Sequence, residues 1–157
     1  MPVMLDDTRI EELLHEHKRL PDHYERLYNP KHKRGHKQAE LDVVGQDGSR
    51  FRIIVRQSAV DPLDFSVILA YYVPRTNVLF RLRRYNGKFS VHTNRIEGTS
   101  FFDFHIHYAT ERYQAKGFDE DAYAESTARY ADLHSALACL MKDCGFILPD
   151  SGQLALL

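Results

Sequence analysis

Between residues 38 and 107 the chain runs in short stretches, most of them alternating apolar and polar residues, and turn signals separate them. This pattern limits the fold more than any other feature. A two-residue period marks strands with one buried face. Connections this short join antiparallel neighbours. Residues 38–44 and 50–56 flank Gly45-Gln46-Asp47-Gly48-Ser49, whose Asp-Gly is a hairpin signal. Residues 65–73 are apolar on both faces and read as a central strand. Pro74-Arg75-Thr76-Asn77 turns the chain into residues 78–85, and Asn86-Gly87 turns it again into residues 88–92. A polar loop from Asn94 to Ser100 leads to a last strand ending at residue 107.

Helical patterns flank this block. Thr8 and Glu11 have capping-box spacing, and Ile10, Leu13, Leu14 and His17 follow at helical intervals until Pro21. Asp132 precedes the apolar stripe Leu133, Ala136, Leu137, Leu140, Met141 and Cys144, with Gly145 as a stop. The expected fold class is α+β in one domain spanning 1–157. A helix over 5–20 and a helical C-terminal third over 108–146 pack on one face of a sheet of about six meandering strands, 38–107, and an apolar tail follows over 147–157.

With 21 Lys+Arg against 22 Asp+Glu, the overall charge favours no class of partner. The two cysteines, Cys139 and Cys144, have the spacing of neither a disulfide framework nor a zinc knuckle and read as reduced core thiols. With no apolar run of membrane length and no signal-peptide pattern, the expected location is cytoplasmic. The basic run Lys31-His32-Lys33-Arg34-Gly35-His36-Lys37 reads either as a solvated loop or as a phosphate-contacting one.

The chemistry concentrates in residues 101–113. Alternation puts Phe102, Phe104, Ile106 and Tyr108 on one face and Asp103, His105 and His107 on the other. The same parity sets Arg81, Arg83 and Tyr85 against Val78, Phe80 and Leu82. It sets Arg52 and Arg56 against Phe51, Ile53 and Val55, and His92 against Phe89 and Val91. If the apolar sides pack on the helices, the other side is rich in arginine and imidazole. One slipped register inverts a strand.

Three readings compete for that face. In the first it binds RNA or another phosphodiester and works as a metal-independent ribonuclease. His105 and His107 are then the acid–base pair, Arg81 and Arg83 stabilise charge, and Arg52, Arg56, Tyr85 and His92 hold the substrate. Glu111 and Arg112, just after the strand, would complete the substrate contacts; alternatively, Thr110 simply caps a short helix there. In the second reading His105, His107 and either His92 or Asp103 coordinate a divalent metal; no second ligand motif accompanies them, so no cofactor is expected. In the third the face is wet and its cations pair with Glu40, Asp42 and Asp103, leaving a non-enzymatic interaction protein.

The segment Phe104-His105-Ile106-His107-Tyr108-Ala109-Thr110-Glu111-Arg112-Tyr113-Gln114, with Asp121–Thr127 and the ending Asp143-Cys144-Gly145-Phe146, resembles a prokaryotic family of unknown function over roughly residues 38–146. Arg83-Arg84-Tyr85-Asn86 leading to closely spaced histidines also resembles TumE-type toxins of toxin–antitoxin pairs. That resemblance implies a ribonuclease neutralised by a small antitoxin. This chain is longer, carries an added helical third and has no longer histidine cluster. A homodimer through the apolar tail is the remaining partner expectation.

Overall fold

A computed structural model describes residues 3–149. The chain begins with α1, Asp7–His15, then β1, Lys18–Arg19, a 3-10 helix, Tyr24–Tyr28, and β2, Lys31–His32. The strands β3, His36–Val44, β4, Arg50–Ser58, β5, Phe65–Tyr72, and β6, Leu79–Asn86, follow. Next come β7, His92–Asn94, β8, Thr99–Phe101, β9, His105–Tyr108, α2, Glu111–Ala115, β10, Tyr123–Ser126, α3, Leu133–Asp143, and β11, Phe146–Ile147. Among the described residues no helix is long and apolar enough to cross a membrane.

Seven strands form one antiparallel sheet in the order β10-β9-β6-β5-β4-β3-β2. The α+β expectation holds. Leu41, Phe51, Ile53, Val55, Val67, Leu69 and Phe80 on the sheet share one core with Ile10, Leu13 and Leu14 of α1 and Leu137, Leu140 and Met141 of α3. α1 and α3 thus cover the same side. Asp132 caps α3 as expected, and Gly145, with φ of 76°, ends it in the left-handed conformation that glycine adopts without strain.

Four expectations are corrected. First, the N-terminal helix does not run over 5–20. Asp6, not Thr8, caps it, its side chain accepting from the Arg9 N–H, and it stops at His15. Lys18 then turns inward, fully buried. Its ammonium donates to the carbonyls of Leu13, Leu14 and Glu16 at 2.9, 3.2 and 2.7 Å, and to that of Cys144 at 2.7 Å. It therefore satisfies carbonyls left open at the ends of both α1 and α3. β1 pairs in parallel with β11 beside this contact. Ile147 of the expected tail is thus strand, together with Phe146 before it; residues 150–157 lie outside the described residues.

Second, residues 88–92 do not return as a meander strand. β7 pairs with β8 in a separate two-stranded sheet, and β9 pairs with β6. Third, the histidine strand is 105–108, not 101–107, and the C-terminal third expected to be helical over 108–146 contains a further edge strand, β10.

The fourth correction decides which arginine reaches the site. Leu69 pairs with Arg83 but Ala70 pairs with Arg81, so Leu82 is an extra residue in β6. Such a bulge shifts side-chain parity by one. Arg83 is placed opposite buried Leu69, and Tyr85 opposite buried Val67, on the helix side. Tyr85 is fully buried and its hydroxyl donates to Asp143 Oδ2 at 2.5 Å. The Arg83 guanidinium lies 4.8 Å from the Tyr108 ring centre. Neither belongs to the open face; Arg84 takes their place.

Candidate functional site: a roofed imidazole cluster

Directly paired residues in a sheet share a face. One row on the side away from the helices runs Gln38, Arg56, Ser66, Asn86, His105, Ser126. The next runs Glu40, Ile54, Ile68, Arg84, His107, Ala124. The two histidines therefore share a face, as the alternation of residues 101–108 implies. They are not wet: His105 and His107 are only 5% and 4% exposed.

The cover is the β7–β8 hairpin, which lays His92 over them. The His92 ring stacks on His105 with centroids 5.4 Å apart and meets His107 edge-on at 4.9 Å; His105 and His107 are 4.9 Å apart. Phe101 closes one side against His92 and His105. The hairpin is anchored at two points. Asn94, buried, donates to the Ala124 carbonyl at 2.8 Å and accepts from the Ala124 N–H at 2.9 Å. At the tip, Glu97 accepts from the Tyr113 hydroxyl and pairs with Arg112.

Each imidazole makes one short hydrogen bond to a carbonyl, which can only accept. His105 Nδ1–H donates to the Asp103 backbone at 2.8 Å, and His107 Nδ1–H donates to the Asp121 backbone at 2.7 Å. Asn94 Oδ1 already accepts from Ala124, so it is the amide oxygen, and His92 Nε2–H donates to it at 2.7 Å. Burial holds the His107 imidazole down at about 2, with Arg84 and His105 adding to the effect. Burial also lowers His105. Both are therefore neutral near pH 7.

Beside them, Arg84 Nε contacts Asp121 Oδ2 at 3.1 Å, off the hydrogen-bonding axis, and Arg81 Nη2 reaches Asp121 Oδ1 at 3.4 Å. Burial pushes the Asp121 carboxyl up, against the pull of both arginines. Arg81 also pairs with Glu120 and Asp119.

A cleft of about 250 Å³ opens onto the cluster, lined by Asp64, Ser66, Arg84, Asn86 and the three histidines, with Phe89 and Val91 at its rim. A second cleft of about 250 Å³ continues from Asp64, Phe65 and Ser66 to Arg56, His36 and Gly35. The expected residues thus divide. His92, His105 and His107 come together, and Arg56 lies further along the groove. Arg52 is bound to Asp42 at 2.8 Å and to Glu40 at 3.5 Å, as the wet-face reading expects. Glu111 sits on α2, linked to Asp7, and Thr110 caps that helix. Arg112 holds the hairpin tip rather than the cleft.

Sequence reasoning missed Arg84, Asn86, Asn94 and Asp121. Arg84 and Asn86 stood in the Arg83-Arg84-Tyr85-Asn86 segment without a role of their own; Asn94 left a signal in standing two residues after His92, on the same side of a strand. No family model, curated protein or solved structure matches the chain.

Proposed function

We propose that the protein binds single-stranded nucleic acid, with a phosphodiester at the histidine end of the cleft. The observation that carries this reading is the row Arg56, Ser66, Asn86, His105, which crosses four neighbouring strands. With strands about 4.8 Å apart the row is about 14 Å long. That is room for about four stacked nucleotides at about 3.4 Å each.

Arg56 is exposed and makes no ion pair among the described residues. Lys33 and Arg34 stand exposed beside Gly35 at the far end. Phe89, 53% exposed at the rim, offers a face on which an unpaired base stacks. Asp64 is the one carboxylate in the lining of the two clefts, and burial with nearby Asp61 pushes it up. A metal-free acid–base scheme fits less well: a general acid at His107 would need an imidazolium that burial disfavours.

The test is fluorescence anisotropy of a short labelled RNA in the presence of chelator. Expected is saturable binding that weakens with salt, by about 0.7 in log–log slope per phosphate contact. Arg56→Glu should flatten that slope. Phe89→Ala should weaken binding roughly 5- to 150-fold without changing it, from a stacking loss of about 1–3 kcal/mol. Absence of binding at low salt, or equal affinity for duplex RNA and for Phe89→Ala, rejects the reading.

A further inference from the structure

We infer that His92, His105 and His107 form a site for one divalent transition metal, with an open coordination position facing the cleft. One ring nitrogen from each of the three lies within 4.8 Å of the others. They come from two separate elements, β7 and β9, brought together only by the fold.

The hydrogen bonds give the site its direction. Each ring spends its single N–H on an oxygen outside the cluster: the Asp103 carbonyl, the Asp121 carbonyl and Asn94 Oδ1. The nitrogens left with lone pairs are His92 Nδ1, His105 Nε2 and His107 Nε2. Such an outward bond from each ring fixes the tautomer and orients the ligand in metal–histidine centres. The second contacts are weaker. Asn86 Nδ2 is 3.5 Å from His107 Nε2, and Arg84 Nη2 is 3.4 Å from His107 Nδ1, a nitrogen already committed at 2.7 Å.

The donor set selects the metal class. Three imidazoles and no carboxylate suit zinc, copper, nickel or iron and do not suit calcium or magnesium. Tetrahedral zinc at 2.0–2.1 Å spaces its nitrogens about 3.4 Å apart, so the cluster would tighten by up to about 1.4 Å on binding. His92, the least buried of the three, sits on the hairpin and can make that adjustment by rotation. Three neutral ligands leave the full dipositive charge on the metal, and a water in the fourth position would be acidified. The cleft that the three histidines line also carries Arg84, Asn86 and Ser66, which would face such a water.

The site does not depend on the nucleic-acid reading, and its test contains no nucleic acid. The full chain is stripped with chelator and titrated with Zn²⁺ and, separately, with Co²⁺. Calorimetry gives stoichiometry and affinity, and the visible Co²⁺ spectrum reports coordination. Expected is one equivalent bound with a tetrahedral Co²⁺ spectrum. His92→Gln, on the roof, should keep the circular dichroism of the parent. It should lose more affinity than the roughly 10- to 100-fold typical of removing an orienting partner. His105→Gln should behave likewise. His32→Gln on the exposed edge strand β2 should change nothing. No saturable binding, or binding that His92→Gln and His105→Gln leave intact, overturns the proposal.

Discussion

The side-chain amide of Asn94 pairs with both backbone polar groups of Ala124, at 2.8 and 2.9 Å, and so acts as one residue of a further strand laid beside β10. The same oxygen receives His92, so a single amide fixes both the hairpin and the third imidazole. Asn94→Ala removes these three hydrogen bonds and a longer one to Thr99 Oγ1 at 3.5 Å, and strands the Ala124 N–H and C=O under the roof. The expected cost is about 2–3 kcal/mol in urea unfolding. Hydrogen exchange in residues 92–101 should rise more than in β4 or β5. Uniform exchange across the sheet would contradict the anchor.

The buried imidazoles make the metal-free protein acid-sensitive. His107 is held at about 2 when folded and titrates near 6.5 when unfolded. Below 6.5 the unfolded chain binds a proton the folded chain refuses, so stability is full above 6.5 and falls as pH drops toward 2. The slope is about 1.4 kcal/mol per pH unit from this one group. Urea midpoints between pH 7 and pH 5 test this, and His107→Gln should reduce the slope.

Tyr85 and Arg83 are expected to matter for stability and not for the cleft. Tyr85→Phe removes a hydroxyl from Asp143, which keeps its paired contacts to Arg129 at 2.8 Å. A loss of about 1–2 kcal/mol is expected, with RNA and metal binding unchanged. Reduced ligand affinity in a folded Tyr85→Phe protein would place the residue on the wrong side of the sheet.

Lys18→Met keeps the stem length and removes the ammonium from four carbonyls. Those carbonyls then lie buried without donors. A loss of about 3 kcal/mol or more is expected, readable as a lowered thermal midpoint. Surface Lys31→Met, by comparison, should stay within about 0.5 kcal/mol of the parent.

The sequence carried the local parts of this fold and lost the distant ones. β3 and β4 were legible because alternation and an Asp-Gly turn are written in adjacent residues, β5 because its run is apolar on both faces, and α3 because its cap and stop flank its stripe. The bulge at Leu82 was not, since an inserted residue in an Arg/Leu run has no compositional mark. That single residue turned Arg83 and Tyr85 inward and Arg84 outward. His105 and His107 could be assigned to one face, but their burial depends on a hairpin that pairs with itself and folds over them. β1 with β11, and β10 with β9, are contacts between segments whose own patterns are two to four residues long.

The Lys18–Cys144 contact joins residues 126 positions apart. Closing so long a loop costs entropy that is recovered only when the intervening sheet already exists. The expected order is that the strands assemble first and the ammonium engages after them. Segments 7–19 and 133–147 are then released together: a protease cut in either should expose the other, while the histidine cluster, built from residues 84–124, keeps its protection.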